Sequence, residues 1–211
     1  MTDYDLRTKW ALRRATLLRL RRGYHRLRGV LPRISYVYVQ EDTTIGGNHC
    51  LLYNFQGDVN LRIRTGKTLT LNAESPGEFR YMGAIRANDG GDVTISGGGT
   101  LEINATGSTE AVDSRSFLSG IRGSNVTLKN CTKTGFEGSP TVNILMVNRY
   151  SLPEGNKVFG ISAGKLTVKD GTRLRINVYD RALNTSNDSN TGEVLMVDTS
   201  GYLNIQNDGT I

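Results

Sequence analysis

Tyr81-Met-Gly-Ala-Ile-Arg-Ala-Asn88, a short Gly-rich step and Asp92-Val-Thr-Ile95 recur as Phe117-Leu-Ser-Gly-Ile-Arg-Gly-Ser124 and Asn125-Val-Thr-Leu128. Aromatic, aliphatic, two small residues, Ile, Arg, small, polar and a strand stand in the same order in both copies. A self-similar block of this length implies one supersecondary unit stacked on itself.

Working outward, period-2 alternation recurs along the chain. Asp58-Val-Asn-Leu-Arg-Ile63 precedes Thr68-Leu-Thr-Leu-Asn72, and Asp92-Val-Thr-Ile-Ser96 precedes Thr100-Leu-Glu-Ile-Asn104. Lys165-Leu-Thr-Val168 precedes Arg173-Leu-Arg-Ile-Asn177, and Tyr202-Leu-Asn-Ile205 precedes Asp208-Gly-Thr-Ile211. The leading apolar positions Val59, Val93, Val126, Leu166 and Leu203 are spaced by 34, 33, 40 and 37 residues. A further apolar stretch lies ahead of each pair: Met82–Ala87, Leu118–Gly123, Val158–Ala163 and Val194–Asp198. Asn143-Ile-Leu-Met-Val-Asn148 has the look of another, since it matches Glu193-Val-Leu-Met-Val-Asp198. Three strands per turn at about 35 residues per turn predict an all-β, three-sided solenoid over residues 34–211. Alternation turns Val93, Ile95, Leu101, Ile103, Val126, Leu128, Leu166, Val168, Leu174, Ile176, Leu203 and Ile205 inward.

Residues 1–33 differ in kind. They hold ten of the 26 Lys and Arg, with only Asp3 and Asp5 as acids, which leaves 16 basic and 18 acidic residues for the remainder. The high pI therefore belongs to the leader, and charge gives no support to nucleic-acid binding by the β domain. Leu6, Trp10, Leu17, Leu20, Tyr24 and Leu27 recur at helical spacings, predicting a basic amphipathic helix over residues 5–28 that ends at Gly29 and Pro32. A cap on the first coil or a dispensable leader is favoured over contact with a membrane surface, and nucleic acid comes last. The apolar run Ala15–Leu18 is too short for a signal peptide. Cys50 and Cys131 form no CxxC, and His25 and His49 complete no metal-ligand set, so both cysteines are read as core residues or free thiols ahead of a disulfide.

The repeated block resembles the right-handed parallel β-helix proteins of the pectate-lyase-like superfamily. Asp92-Val-Thr-Ile-Ser-Gly-Gly-Gly-Thr-Leu101 is similar to coils of their secreted or surface-exposed bacterial members, and the resemblance covers about residues 36–211. It implies a secreted or cell-surface location and a carbohydrate-binding or adhesin-like role, with a polysaccharide or host-surface glycan as partner. It equally admits a polysaccharide lyase, a glycoside hydrolase or a structural stalk.

The outer residues discriminate among these. A lyase resembling the pectate lyases needs acids on calcium beside a basic residue, whereas Asp89 and Asp92 flank Gly90-Gly91 and read as strand caps. A hydrolase needs two carboxylates on one face, and nothing ties Glu102 to Glu137. Asn184–Glu193 is rich in oxygen ligands but lacks EF-hand spacing, so calcium is a minor alternative to having no cofactor. Gly97-Gly98-Gly99 reads as a tight corner rather than a phosphate loop. The candidate binding residues are Arg86 and Arg122, which hold one slot of the repeat and should lie about 4.8 Å apart, with Tyr81 and Phe117 as aromatic platforms. No catalytic residue and no metal ligand is assigned. The strand pair is interrupted at Ile211, which leads us to expect a piece of a longer exported protein.

Overall fold

The computed structural model describes residues 16–20, 23–26, 34–48, 50–54, 57–75, 81–87, 90–107, 117–148, 157–169, 171–180 and 193–205. All regular structure among them is β, and every strand pairing is parallel. Fifteen strands run in chain order: β1 Thr16–Leu20, β2 Gly23–Arg26, β3 Ile34–Val39, β4 Thr43–Asn48, β5 Leu52–Asn54, β6 Val59–Ile63, β7 Thr68–Ser75 and β8 Tyr81–Ala87. They continue with β9 Val93–Ser96, β10 Thr100–Gly107, β11 Phe117–Lys129, β12 Thr141–Asn148, β13 Lys157–Val168, β14 Arg173–Asp180 and β15 Glu193–Ile205.

The strands form two sheets. One follows the order β1-β3-β6-β9-β11-β13-β15, with β8 also paired to β11 and β5 paired to β8; the other runs β14-β12-β10-β7-β4-β2. From β3 onward each pass of the chain adds to one sheet and then the other, so the repeat spacing becomes strand register. Val59 pairs with Val93, Val93 with Val126, Val126 with Leu166 and Leu166 with Leu203. Alternation then packs one face of each sheet into a shared core. Val93, Ile95, Leu101, Ile103, Val126, Leu128, Leu166 and Val168 are fully buried, and Leu174 and Ile176 nearly so. The side chains of Leu203 and Ile205 lie outside the described residues.

Two expectations are corrected. The predicted N-terminal helix is not formed among the described residues: Thr16–Leu20 and Gly23–Arg26 are strands, parallel to β3 and β4. The apolar spacing of this stretch suits either state locally, and pairing with β3 and β4 supplies tertiary contacts that a short isolated helix lacks.

The three-sided cross-section is also replaced, by two sheets. In β11 and β13 the apolar stretch and the following leading strand are one continuous strand. The ladder runs through Gly123 opposite Ala163 and Asn125 opposite Lys165 without a corner. The strand is broken between β8 and β9, near Gly90 at φ 79°, and likewise between β5 and β6, near Gly57 at φ 152°. Likewise Thr141–Asn148 belongs to the six-stranded sheet, whereas Glu193–Ile205 ends the other, so their similar sequences occupy different faces.

The longest spacing, 40 residues from Val126 to Leu166, is explained by residues 130–140. This loop leaves β11 and folds back over two earlier turns. Cys131 and Gly138 exchange backbone hydrogen bonds of 2.9 and 3.0 Å, the Thr65 amide donates to Gly135 O, and the Gly98 amide donates to Phe136 O. Gly97 has φ 99°, and a Cβ on Gly98 would collide with the Glu137 carbonyl. The glycine corner is therefore both a turn and a landing site for the loop.

Candidate functional site

The register brings the predicted arginines together. Arg86 pairs with Arg122, and the row extends to Tyr53 on one side and Ser162 on the other. Phe117 pairs with Tyr81 in the same strands, but this aromatic pair stands at the far end of the β8 ladder from the arginines, about 16 Å along the strands; the side chains of Tyr81 and Phe117 lie outside the described residues. Arg86 and Arg122 are half-buried, and the Arg86 guanidinium lies 5.5 Å from the Tyr53 ring centroid. Beside them sits the buried thiol of Cys50. Burial pushes its pKa up, opposed by the Arg86 charge, the Gly83 N–H, a hydrogen bond from Arg86 and the Arg122 charge. Part of this cationic row thus faces a protein group.

A second surface on the same sheet combines aromatic and cationic groups in a more open setting. In β3 the outward residues are Tyr36 and Tyr38, in β6 Asn60 and Arg62, and in β9 Thr94 and Ser96. Register sets Tyr36 beside Asn60 and Thr94, and Tyr38 beside Arg62 and Ser96, with Lys129 of β11 next in that row. These two rows line a groove of about 70 Å³. Tyr36, at 45% exposure, is the one exposed large hydrophobic among the described residues, which makes it a ready stacking platform.

The groove is held by packing at its end. The Arg62 guanidinium lies 5.4 Å from the Tyr38 ring centroid, and the Lys133 ammonium lies 4.9 Å from it. Phe136 meets the same ring edge-on at 5.9 Å. Lys133 and Phe136 both come from the 130–140 loop, so the docked loop packs on Tyr38, one of the residues that line the groove. Ser96 is tied down to Leu61 O at 3.5 Å, which keeps the floor low between the flanking cations.

The acids are elsewhere. Asp92 accepts from the Asn125 amide at 3.0 Å and from Asn125 Nδ2 at 2.8 Å, and Asp58 accepts from the Asp92 amide at 2.9 Å, which makes these carboxylates strand caps. Asp89 lies outside the described residues. Glu102 accepts from Asn143 Nδ2 at 2.8 Å on the six-stranded sheet, whereas Glu137 sits in the loop, so no acid–base pair is assembled from them. Among the described residues no group of three His, Cys, Asp or Glu is placed to hold a metal. Most of the calcium candidate, residues 184–192, lies outside the described residues. Both cysteines are free.

Sequence reasoning missed the groove because Tyr36 and Tyr38 precede the repeating blocks, and Lys133 with Phe136 falls in the one long insertion. Two signals pointed to it: the Tyr-Val-Tyr alternation, and the 40-residue spacing. Compared with known proteins, the chain matches no family model, no curated protein and no solved structure.

Proposed function

We propose that the protein is a non-enzymatic carbohydrate-binding module of a secreted or surface-exposed protein, adhesin-like in use, that engages a polysaccharide or host-surface glycan on the outer face of its nine-stranded sheet. The observation that carries this reading is the groove, where the exposed Tyr36 ring stands beside amide and hydroxyl groups of Asn60 and Thr94. A sugar offers both an apolar ring face and a rim of hydroxyls, and a ring bordered by short polar side chains matches both. The groove is favoured over the Arg86–Arg122 row because it presents an exposed aromatic ring, Tyr36. Among the described residues no acid lines it, so general acid–base hydrolysis finds no carboxylate in that lining.

An immobilised panel of neutral and acidic polysaccharides tests the reading. The wild type is expected to retain at least one of them, and Tyr36→Ala to lose retention while keeping its β-sheet circular dichroism. Retention of none by the wild type would overturn the proposal.

A further inference from the structure

We infer that the groove takes an anionic polysaccharide lying along the stack, its carboxylate or sulfate groups held by Arg62, Lys129 and Lys133 without a calcium bridge. This rests on the carbohydrate-binding reading and specifies its ligand.

Arg64 and Lys67, at the corner just beyond β6, face Glu41 and Asp42: Lys67 Nζ is 3.1 Å from Glu41 and 3.7 Å from Asp42, and Arg64 is 3.9 Å from Glu41. Arg62, Lys129 and Lys133 make no ion pair among the described residues, and no acid lines the groove. The Arg62 Nε is buried and finds no acceptor there. Three neighbouring cations with no counter-charge repel one another, and an anion entering between them relieves that repulsion.

Register then sets the direction. Arg62 and Lys129 share one row with Ser96 between them, two strand spacings apart, or about 9.6 Å along the stack. A ligand reaching both cations must cross β6, β9 and β11 at right angles to the strands. A linear chain does this, with Tyr36, Asn60 and Thr94 alongside in the parallel row. Calcium bridging needs protein oxygens with negative charge, which this lining lacks. Polynucleotide is disfavoured because one exposed ring offers no succession of stacking platforms.

The test measures binding of the full chain to sulfated oligosaccharides, oligogalacturonates, neutral cello-oligosaccharides and a single-stranded oligonucleotide, each with and without a calcium chelator. Binding to a sulfated or carboxylated ligand that survives chelation is expected, and the preferred arm identifies the anion. Arg62→Gln with Lys129→Gln should weaken it roughly tenfold or more, and Lys129→Arg on its own should leave it intact. Equal binding of neutral and acidic sugars, unchanged in the double variant, would overturn this inference and leave the carbohydrate reading standing. A requirement for calcium, or tighter binding of the oligonucleotide than of any sugar, would overturn it too. Binding of no sugar at all would overturn both.

Discussion

The Arg86–Arg122 row and the Tyr36–Lys129 groove lie on the same sheet, and each sets a guanidinium against a tyrosine ring, Arg86 on Tyr53 and Arg62 on Tyr38. They differ in what stands beside the cations. The row is backed by a buried thiol that engages Arg86, whereas the groove opens beside an exposed ring and has a loop from outside the repeat packed on its Tyr38. Repetition places residues side by side; whether they face a ligand or their own protein is decided by non-repeating segments such as β5 and the 130–140 loop.

The largest effect tests what the two surfaces share. Ile95 is fully buried beneath the groove, between Leu61 and Leu128 in register. Ile95→Asp places an unpaired charge in that layer at a cost of several kcal/mol, comparable to the whole stability of many domains. Loss of the β-sheet signal or aggregation is expected. A folded variant with full glycan binding would show that the two surfaces do not depend on a common core.

The interior was the legible part of the fold. Val93, Ile95, Val126 and Leu128 alternate so strictly with polar residues that one register satisfies them all. The number of faces was not legible, because a corner and a continuous strand at Gly123-Ser124 differ in the hydrogen-bond ladder rather than in composition. The leader was misread for a related reason: Leu17 and Leu20 fit a helical stripe, and the partner strands that decide the matter are remote in sequence. Of the site, the adjacency of Arg86 and Arg122 followed from the repeat. The groove did not, since Tyr38, Lys133 and Phe136 meet only after the insertion folds back.

Gly98→Ala separates the two surfaces. Its Cβ has no room beneath the Glu137 carbonyl, so the loop must lift, at roughly 1–3 kcal/mol. Lys133 and Phe136 then leave Tyr38. Denaturant unfolding should report the destabilisation, and glycan binding should weaken several-fold. Unchanged binding would remove the loop from the site.

The row answers to pH through Cys50. Its folded thiol titrates above the ordinary thiol range, chiefly because of burial. As pH rises past that range the unfolded thiol ionises while the folded one stays protonated, so stability falls with rising pH. Below the range this contribution is constant. The denaturation midpoint of the wild type should therefore drop more steeply on the alkaline side than that of Cys50→Ala, and parallel curves would show that the thiol is not held protonated beside Arg86.

The smallest effect is the sharpest test of the comparison. Arg86→Gln with Arg122→Gln removes two charges from the same sheet as the groove, yet leaves Arg62, Lys129 and Lys133 in place. Screening confines the influence of exposed charges to roughly 8–10 Å at physiological ionic strength, and a charge already engaged by its own protein contributes little to a distant anion. Binding of the anionic polysaccharide should stay within about twofold of the wild type, while the double variant at Arg62 and Lys129 loses most of it. The reverse ranking would return the glycan to the repeated arginines and make the groove a packing feature of the 130–140 loop.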